Sequence, residues 1–588
     1  MNWTQLTNPF GNIAISALIA VIPIIFLFWA LIIKKMKGYI ASLSALLISF
    51  IIAVSAYQMP VNLALLSVFH GILYGLFPIC WIVITAVFLF NITIKSGQFE
   101  IIKHFMASIT ADRRLQALII AFSFGSFLEG TAGFGAPVAI TAAMLVGLGF
   151  NPLYAAGICL IANTAPVAFG AIGTPILVLS QVSGIPEMAI SAMVGRTLPI
   201  LSLFVPFYLV ALMAGFKKTM EVLPAIMVTG GIFAGLQWFS SNYLGPALPD
   251  IISGIGSIIG LILFLKVWKP KRIWRFKEEQ GTAKTTVRLY AVGEIFRAWS
   301  PFVILTIMMV AWGLQPVKAT LDQIGLFQFE IPGLHQVIQD NEGLAIDHVF
   351  KFNYLSAAGT GILLSAIVSM PLIGISFRQG VQLFFATLNQ LKFPIVTISA
   401  VLGFAYVVND SGITLSMAEA LAATGVLFPF FAPILGWLGV FITGSDTSAN
   451  ALFGKLQSVT AASIGVDPVV TVSANAAGGV VGKMISPQSI AVAAAAGGLV
   501  GQESALFRFT VKHSFILLFF ICVLVLAQAY LFTWMVPLYD KQLPAHAAVS
   551  AYHNPGYLYL LGVVLLLSSF ALLIKILTRR RKIDVQIE

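Results

Sequence analysis

Apolar runs of about 20 residues follow one another from residue 12 to residue 577 with only short polar intervals. A run of that length crosses the hydrocarbon core of a bilayer as a helix, so the pattern predicts a chain that is nearly all membrane. Full spans are expected near 12–33, 39–58, 63–94, 188–214, 222–240, 250–267, 299–315, 352–376, 393–409, 507–536 and 557–577. The first run, about Ile13–Ile33, is too long for a signal-peptide core. It is followed by Lys34, Lys35 and Lys37 rather than a small-residue cleavage site, so it reads as a retained span.

Four segments break this pattern. Residues 115–150 and 427–462 are each apolar for long enough to enter the membrane twice. Their centres are Glu129-Gly130-Thr131-Ala132-Gly133 and Thr443-Gly444-Ser445-Asp446-Thr447-Ser448-Ala449-Asn450. Irregular polar backbone survives at membrane depth only inside protein or beside water, so these read as re-entrant helical hairpins. Residues 152–178 and 467–490 start as helices behind Asn151-Pro152 and Asp467-Pro468, then meet Asn, Gly and Pro that interrupt them. They read as broken helices. Asn163, Gly170 and Thr174-Pro175 return as Asn475, Gly482 and Ser486-Pro487 at a constant offset of 312 residues.

The reading is therefore an all-α polytopic membrane protein with two inverted repeats. Residues 1–38 hold the first span. Residues 39–214 form the first repeat and 352–536 the second, each with its hairpin and broken helix. Residues 215–351 link the two, and 537–588 carry a last span and a basic tail. In inverted-repeat transporters the site lies near the midplane, at the discontinuous helices.

Charge fixes an expected orientation. The basic segments Lys34–Lys37, Lys95–Arg114, Lys217–Lys218, Lys266–Arg297, Arg378 and Arg579–Lys582 all fall on one side if the amino terminus is outside and the carboxyl terminus is cytoplasmic. The loop between Val317 and Phe350, with Asp322, Glu330, Asp340, Glu342 and Asp347, then lies outside. The net charge of +11 is explained by this topology rather than by nucleic acid, and 9% charged residues against 59% hydrophobic ones describe a chain suited to lipid, where an ordinary soluble domain is about 25% charged. Cys80, Cys159 and Cys522 are far apart within apolar runs, which supports neither a disulfide framework nor a metal site. The nearest approach to a phosphate loop, Gly478-Gly479-Val480-Val481-Gly482-Lys483-Met484, lacks the first glycine at the required spacing and the Ser/Thr after Lys. No nucleophile and base, metal cluster or cofactor motif appears, so neither an ATP-driven pump nor an enzyme is expected.

Candidate chemistry sits in the interrupted segments. Glu129 and Asp446 are acids at hairpin tips, where an ionisable side chain costs at least about 2.5–3.5 kcal/mol and marks function by default. They are the candidate proton-coupling residues, or else they cap their half-helices or neutralise a fixed Lys. Lys483 and Lys455 offer positive charge to an anion, or snorkel to an interface. Arg196, within an apolar span, is a candidate partner of the hairpin acids or an anchor between helices. His70, opening a span, is a candidate proton relay. Asp410 and Glu419 are expected at the outer interface.

The stretches Phe124-Gly125-Ser126-Phe127-Leu128-Glu129-Gly130-Thr131-Ala132-Gly133-Phe134-Gly135-Ala136-Pro137, Ala162-Asn163-Thr164-Ala165-Pro166-Val167-Ala168-Phe169-Gly170 and Gly444-Ser445-Asp446-Thr447-Ser448-Ala449-Asn450-Ala451-Leu452-Phe453-Gly454 resemble the bacterial lactate permease family over essentially the whole chain. The resemblance implies uptake of L-lactate, with D-lactate and glycolate as relatives, by proton symport across the cell inner membrane. The proton is the coupling ion, with no cofactor or metal. It also implies kinship with the ion-transporter superfamily and an elevator-like motion. The paired Ser-Asn-Thr triplets associated with sodium-coupled dicarboxylate carriers are absent, leaving such a carrier, or an anion channel of the same architecture, as the alternatives. On this reading the substrate carboxylate lies at half-helix amino termini. Thr131, Ser445 and Thr447 contact it, Asn163 with the adjoining Thr164 and Asn475 bond its oxygens, and Lys483 supplies charge. The partners expected are this small monocarboxylate and the bilayer; monomer and homodimer are both left open.

Overall fold

The computed structural model describes residues 2–34, 36–133, 135–276, 290–340, 343–499, 502–539 and 568–569. The expected last span at 557–577 falls outside the described residues apart from 568–569, as do the basic tail at Arg579–Lys582 and residues 277–289 of the basic Lys266–Arg297 segment. Among the described residues eleven helices are long and apolar enough to cross a membrane, or twelve if the bent pair Pro152–Ala162 and Val167–Ser183 is one span.

The chain starts with α1 (Ile13–Ala20), capped by Asn12, whose side chain accepts from the N–H groups of Ala14 and Ile15. It continues into α2 (Ile22–Phe28) and α3 (Gly38–Ser55). Helices α4 (Val61–Tyr74) and α5 (Trp81–Lys95) are parts of one long apolar run, broken where Pro78 enters it and Phe77 leaves helical geometry. A Pro cannot donate to the ladder and forces such a break. α6 (Gln98–Ser108) and α7 (Arg113–Gln116) lead into the first hairpin, α8 (Gly125–Thr131) and α9 (Ala136–Gly147), in which α9 folds back on the stretch before α8. The broken helix α10 (Pro152–Ala162) and α11 (Gly170–Ser183) bends by 64°. α12 (Glu187–Ala214), α13 (Phe216–Met220), α14 (Leu223–Tyr243), α15 (Pro249–Val267) and α16 (Val292–Gly313) follow.

The segment expected as a polar outer loop is instead ordered. It contains α17 (Gln315–Gly325), and among the described residues there are four short strands: β1 (Trp3–Thr4), β2 (Leu326–Glu330), β3 (Ile338–Gln339) and β4 (Val349–Asn353). β2 and β4 pair antiparallel, and β3 pairs in parallel with β1 from the amino-terminal segment. Two expected spans are redrawn. The 352–376 run yields α18 (Ala358–Ile373), of 16 residues, because β4 takes up its start. The 393–409 run is the end of α19 (Phe377–Asp410), a 34-residue helix that Ser376 and Gln379 start with a capping box.

α20 (Ile413–Ala422) precedes the second hairpin, α21 (Phe428–Thr443) and α22 (Asp446–Ser463). Then come α23 (Pro468–Lys483), α24 (Pro487–Gly497) and α25 (Glu503–Tyr530). The starts read from Asn151-Pro152 and Asp467-Pro468 are real caps: Asn151 accepts from Leu153 N–H and Tyr154 N–H, and Asp467 from Val469 N–H. The broken helices run further than expected, to Ser183 and Gly497.

Two apolar clusters divide the interior. One gathers the hairpins, the broken helices and α12 to α16; the other gathers α1 to α4, β3 and β4, α19 and α20, and reaches α11 and α22 at Val182 and Leu456. Within the first, α21 lies on α23 nearly backbone to backbone. A Cβ on Gly436 would overlap the Asn475 carbonyl, and one on Gly478 the Pro433 carbonyl. With lipid as apolar as the side chains, close backbone approach at small residues is what holds such helices together.

Candidate functional site

Four helix starts meet at one narrow cavity of about 60 Å³. It is lined by Gly135 at the start of α9, Ala171 and Pro175 where α11 regains helical geometry, Ser445 to Thr447 at the start of α22, and Gln488 and Ser489 at the start of α24. Each start has a local cause. Gly135 precedes α9 at a φ of 85°, and Gly444 ends α21 at a φ of 70°, a left-handed turn that disfavours any residue with a Cβ. Residues Ala171 to Gly173 leave helical geometry inside α11, and Ser486 with Pro487 starts α24. The first N–H groups of a helix have no partner within it, and its amino end carries about half a positive charge. Four such ends around one space favour an anion.

The charged side chains at this cavity are Glu129, Asp446 and Lys483. Lys483 Nζ donates to Glu129 Oε1 at 3.1 Å, and the glutamate is only 2% exposed. Gly170 makes room for this carboxylate: a Cβ there would lie 2.7 Å from Glu129 Oε1. Asp446 packs against Gly479, one turn before Lys483 on the same face of α23. Asn450 Nδ2 donates to its Oδ2 at 3.3 Å, while Oδ1 is buried with no partner among the described residues. The cavity is therefore lined by one cation and two acids, all buried, so that each charge depends on the others.

Of the residues singled out in the sequence, Glu129, Ser445, Asp446, Thr447 and Lys483 line this cavity. Thr131, Asn163, Thr164 and Asn475 do not. The Thr131 hydroxyl turns back to the Phe127 carbonyl at 3.0 Å, and that of Thr164 to the Ile161 carbonyl at 2.7 Å, so both satisfy their own helix. Asn475 is fully buried behind the wall. It donates to Asn450 Oδ1 at 2.9 Å and accepts from Gln457 at 3.2 Å, which ties α22 to α23. Asn163 is buried at the end of α10, with its Nδ2 lacking a partner among the described residues. Arg196 is no partner of the hairpin acids. It donates to Asn242 Oδ1 and to the Met535 carbonyl, both at 2.9 Å, and anchors helices.

His70 and Lys455 belong to a second, wider cavity of about 640 Å³ between α4, α11, α19, α22 and β4 with the residues before it. Asp410, expected at the interface, is buried there and accepts from His348 Nε2 at 3.1 Å. Burial opposes a charged His348 ring, yet the Asp410 carboxylate outweighs it and raises the pKa above the ordinary histidine value.

Sequence reasoning missed three contributors. Gln488 and Ser489 follow the Ser486-Pro487 start and were legible as its first turn. Asp250, on α15, is 1% exposed and packs against Gly130, beside Glu129, with neither carboxylate oxygen partnered among the described residues. Its sequence setting, Leu248-Pro249-Asp250, reads as an ordinary helix start and gave no sign of this burial.

The fold and the cavity define a multi-pass membrane protein with a charged cavity between interrupted helices. The L-lactate permease family model matches residues 16–532, and the chain belongs to that family. It is 55% identical to the L-lactate permease of Bacillus subtilis over 563 residues, covering 91% of this chain and all of that one. To the glycolate permease GlcA of Escherichia coli it is 53% identical over 557 residues, again covering 91% of this chain and all of the relative. Among solved structures, Neisseria gonorrhoeae MtrF has a TM-score of 0.42 at 13% identity, covering 78% of this chain and 83% of that chain.

Proposed function

We propose that this protein is a secondary transporter of the cell inner membrane that takes up L-lactate, together with glycolate and D-lactate, by symport with protons. Two relatives that it matches over nine-tenths of its length are named for lactate and glycolate. The observation that carries the mechanism is the Lys483 to Glu129 ion pair at a cavity ringed by helix amino termini.

In the empty site the Glu129 carboxylate occupies Lys483. When Glu129 takes a proton, Lys483 loses its partner and accepts the carboxylate of the substrate, whose remaining oxygens meet N–H groups at the starts of α22 and α24. Thr447, Ser445 and Gln488 are within the same wall for the 2-hydroxyl. A site of this volume holds about four to six water-sized groups, the scale of a hydroxy acid with two or three carbons. Proton and anion together add no net charge, so the loaded and the empty site cross the membrane interior at similar electrostatic cost; an anion alone would add a charge where it is expensive. Asp446, which lines the same cavity, is the second coupling acid. The two hairpins and broken helices act as inverted repeats that expose this site alternately, with the amino terminus outside.

The test is transport in proteoliposomes with an imposed inward proton gradient. L-lactate accumulates without sodium, and glycolate competes. Failure of gradient-driven accumulation in folded protein overturns proton symport, and lack of lactate counterflow overturns the substrate.

A further inference from the structure

The wider cavity has a charge balance that the inner site does not explain. Its acids are all engaged: Asp410 with His348 at 3.1 Å, Asp347 with Gln336 at 3.1 Å, and Asp340 with the Leu344 N–H at 2.8 Å. Lys455, which lines the same space from α22, makes no hydrogen bond or ion pair among the described residues. Asp410 and Asp340 are near enough to attract its charge without touching it. His70, 3% exposed, also lines this space, and neither of its ring nitrogens makes a hydrogen bond of normal geometry. It is wedged between Tyr74, Tyr406 and His348, with ring centroids 5.2, 5.0 and 5.6 Å away. A cation that lacks a partner, beside water-accessible space and near an imidazole without a hydrogen bond of normal geometry, marks where an anion belongs.

The position of the cavity adds direction. One wall is made of Ser180 to Val182, Gly184 and Ile185 on and after α11 and of Lys455 and Val459 on α22. The inner cavity uses the same two helices at Pro175 and at Ser445 to Thr447. Lys455 follows Asp446 by nine residues on α22, about 13 Å at helical rise. Between the two spaces α11 and α22 close on each other, with Asn450 donating to the Pro175 carbonyl at 3.2 Å and Gly454 seated under Leu179 and Val182.

We propose that the wider cavity is a second binding site for a small carboxylate, held on Lys455 with His70 as hydrogen-bond donor, from which the anion passes along the α11 and α22 seam to Lys483. This rests on the reading that the chain carries small carboxylates. Gln181 lines the cavity and is exposed, so Gln181→Cys reports on its occupancy while the native cysteines are buried. Labelling of Gln181→Cys by a membrane-impermeant thiol reagent is followed with and without L-lactate, in four backgrounds checked for monodisperse folding: unaltered, Lys455→Gln, Lys455→Arg and Lys483→Gln. Lactate is expected to slow labelling several-fold in the unaltered, Lys455→Arg and Lys483→Gln backgrounds, and to have no effect in Lys455→Gln. The proposal is overturned if lactate fails to protect in the unaltered background while lactate counterflow is intact. It is also overturned if protection survives Lys455→Gln or is lost in Lys483→Gln. If neither protection nor counterflow is seen with lactate, the transport reading itself has failed and this inference falls with it.

Discussion

Glu129 Oε1 sits 3.1 Å from Lys483 Nζ, joining the tip of the first hairpin to the end of α23 across 354 positions of chain. One contact thus ties both halves of the protein at the cavity. Because each charge is buried, the pair is strong only while both members are present.

Replacing one partner therefore costs more than replacing both. Lys483→Gln is expected to lower thermal stability by about 3–5 kcal/mol, the range for an uncompensated buried charge. The double variant Glu129→Gln/Lys483→Gln should regain much of it. A melting series in detergent checks this, and additive losses in the double-mutant cycle would show that the two residues do not interact.

Lys483→Gln also removes the cation proposed for the substrate carboxylate. A hydrogen bond to a charged group contributes about 1.5–3 kcal/mol, so the half-saturation concentration for L-lactate should rise about 10- to 100-fold. Counterflow kinetics read this out, and an unchanged value excludes Lys483 from carboxylate binding.

The proposed coupling acids separate driven uptake from exchange. Glu129→Gln or Asp446→Asn should abolish uphill accumulation under a proton gradient while sparing counterflow. If both variants accumulate lactate as before, neither acid carries the proton.

Backbone contact between α21 and α23 makes a sharp packing prediction. Gly478→Ala drives a methyl into the Pro433 carbonyl and should destabilise the protein by about 1–3 kcal/mol. Gly231→Ala, on an open helix face, meets nothing within 4 Å and should be neutral or slightly stabilising. Melting temperatures of the two variants, measured side by side, decide it.

His348 sets a pH dependence at the wider cavity. Its folded-state pKa is raised above 6.5 because Asp410 outweighs burial. A raised pKa means that the pair's stabilisation is fully present below about 6.5 and is lost as the pH climbs through the folded value. The melting temperature should fall between slightly acid and alkaline pH, and Asp410→Asn should flatten that fall. An identical pH profile in Asp410→Asn would show that the pair contributes nothing.

Much of the architecture was legible because its signals are local. Span length follows from uninterrupted apolar runs, and Asn151-Pro152 and Asp467-Pro468 announce helix starts through their own side chains. Gly444 with Ser445 and Asp446 marked a hairpin tip because those residues have no reason to sit in lipid. Glu129, Asp446, Ser445, Thr447 and Lys483 were singled out in the same way, and the fold brings them to one cavity. The redrawn spans show the limit: α18 lost its start to β4, whose partner strand β2 lies about 20 residues upstream.

The sequence by itself determined that this is a membrane protein built around interrupted helices, since hydrophobic length and local helix breakers are properties of short stretches. Only the tertiary structure decided which polar groups share a cavity. It turned Asn475 toward Asn450 and Gln457, sent Arg196 to Asn242 and Met535, buried Asp250 behind Gly130, and brought His348 to Asp410. A helix that is apolar nearly all round has no periodic stripe to reveal its facing, so the rotation of each helix, and with it every long-range polar pair, is fixed by packing against neighbours that the linear pattern does not name.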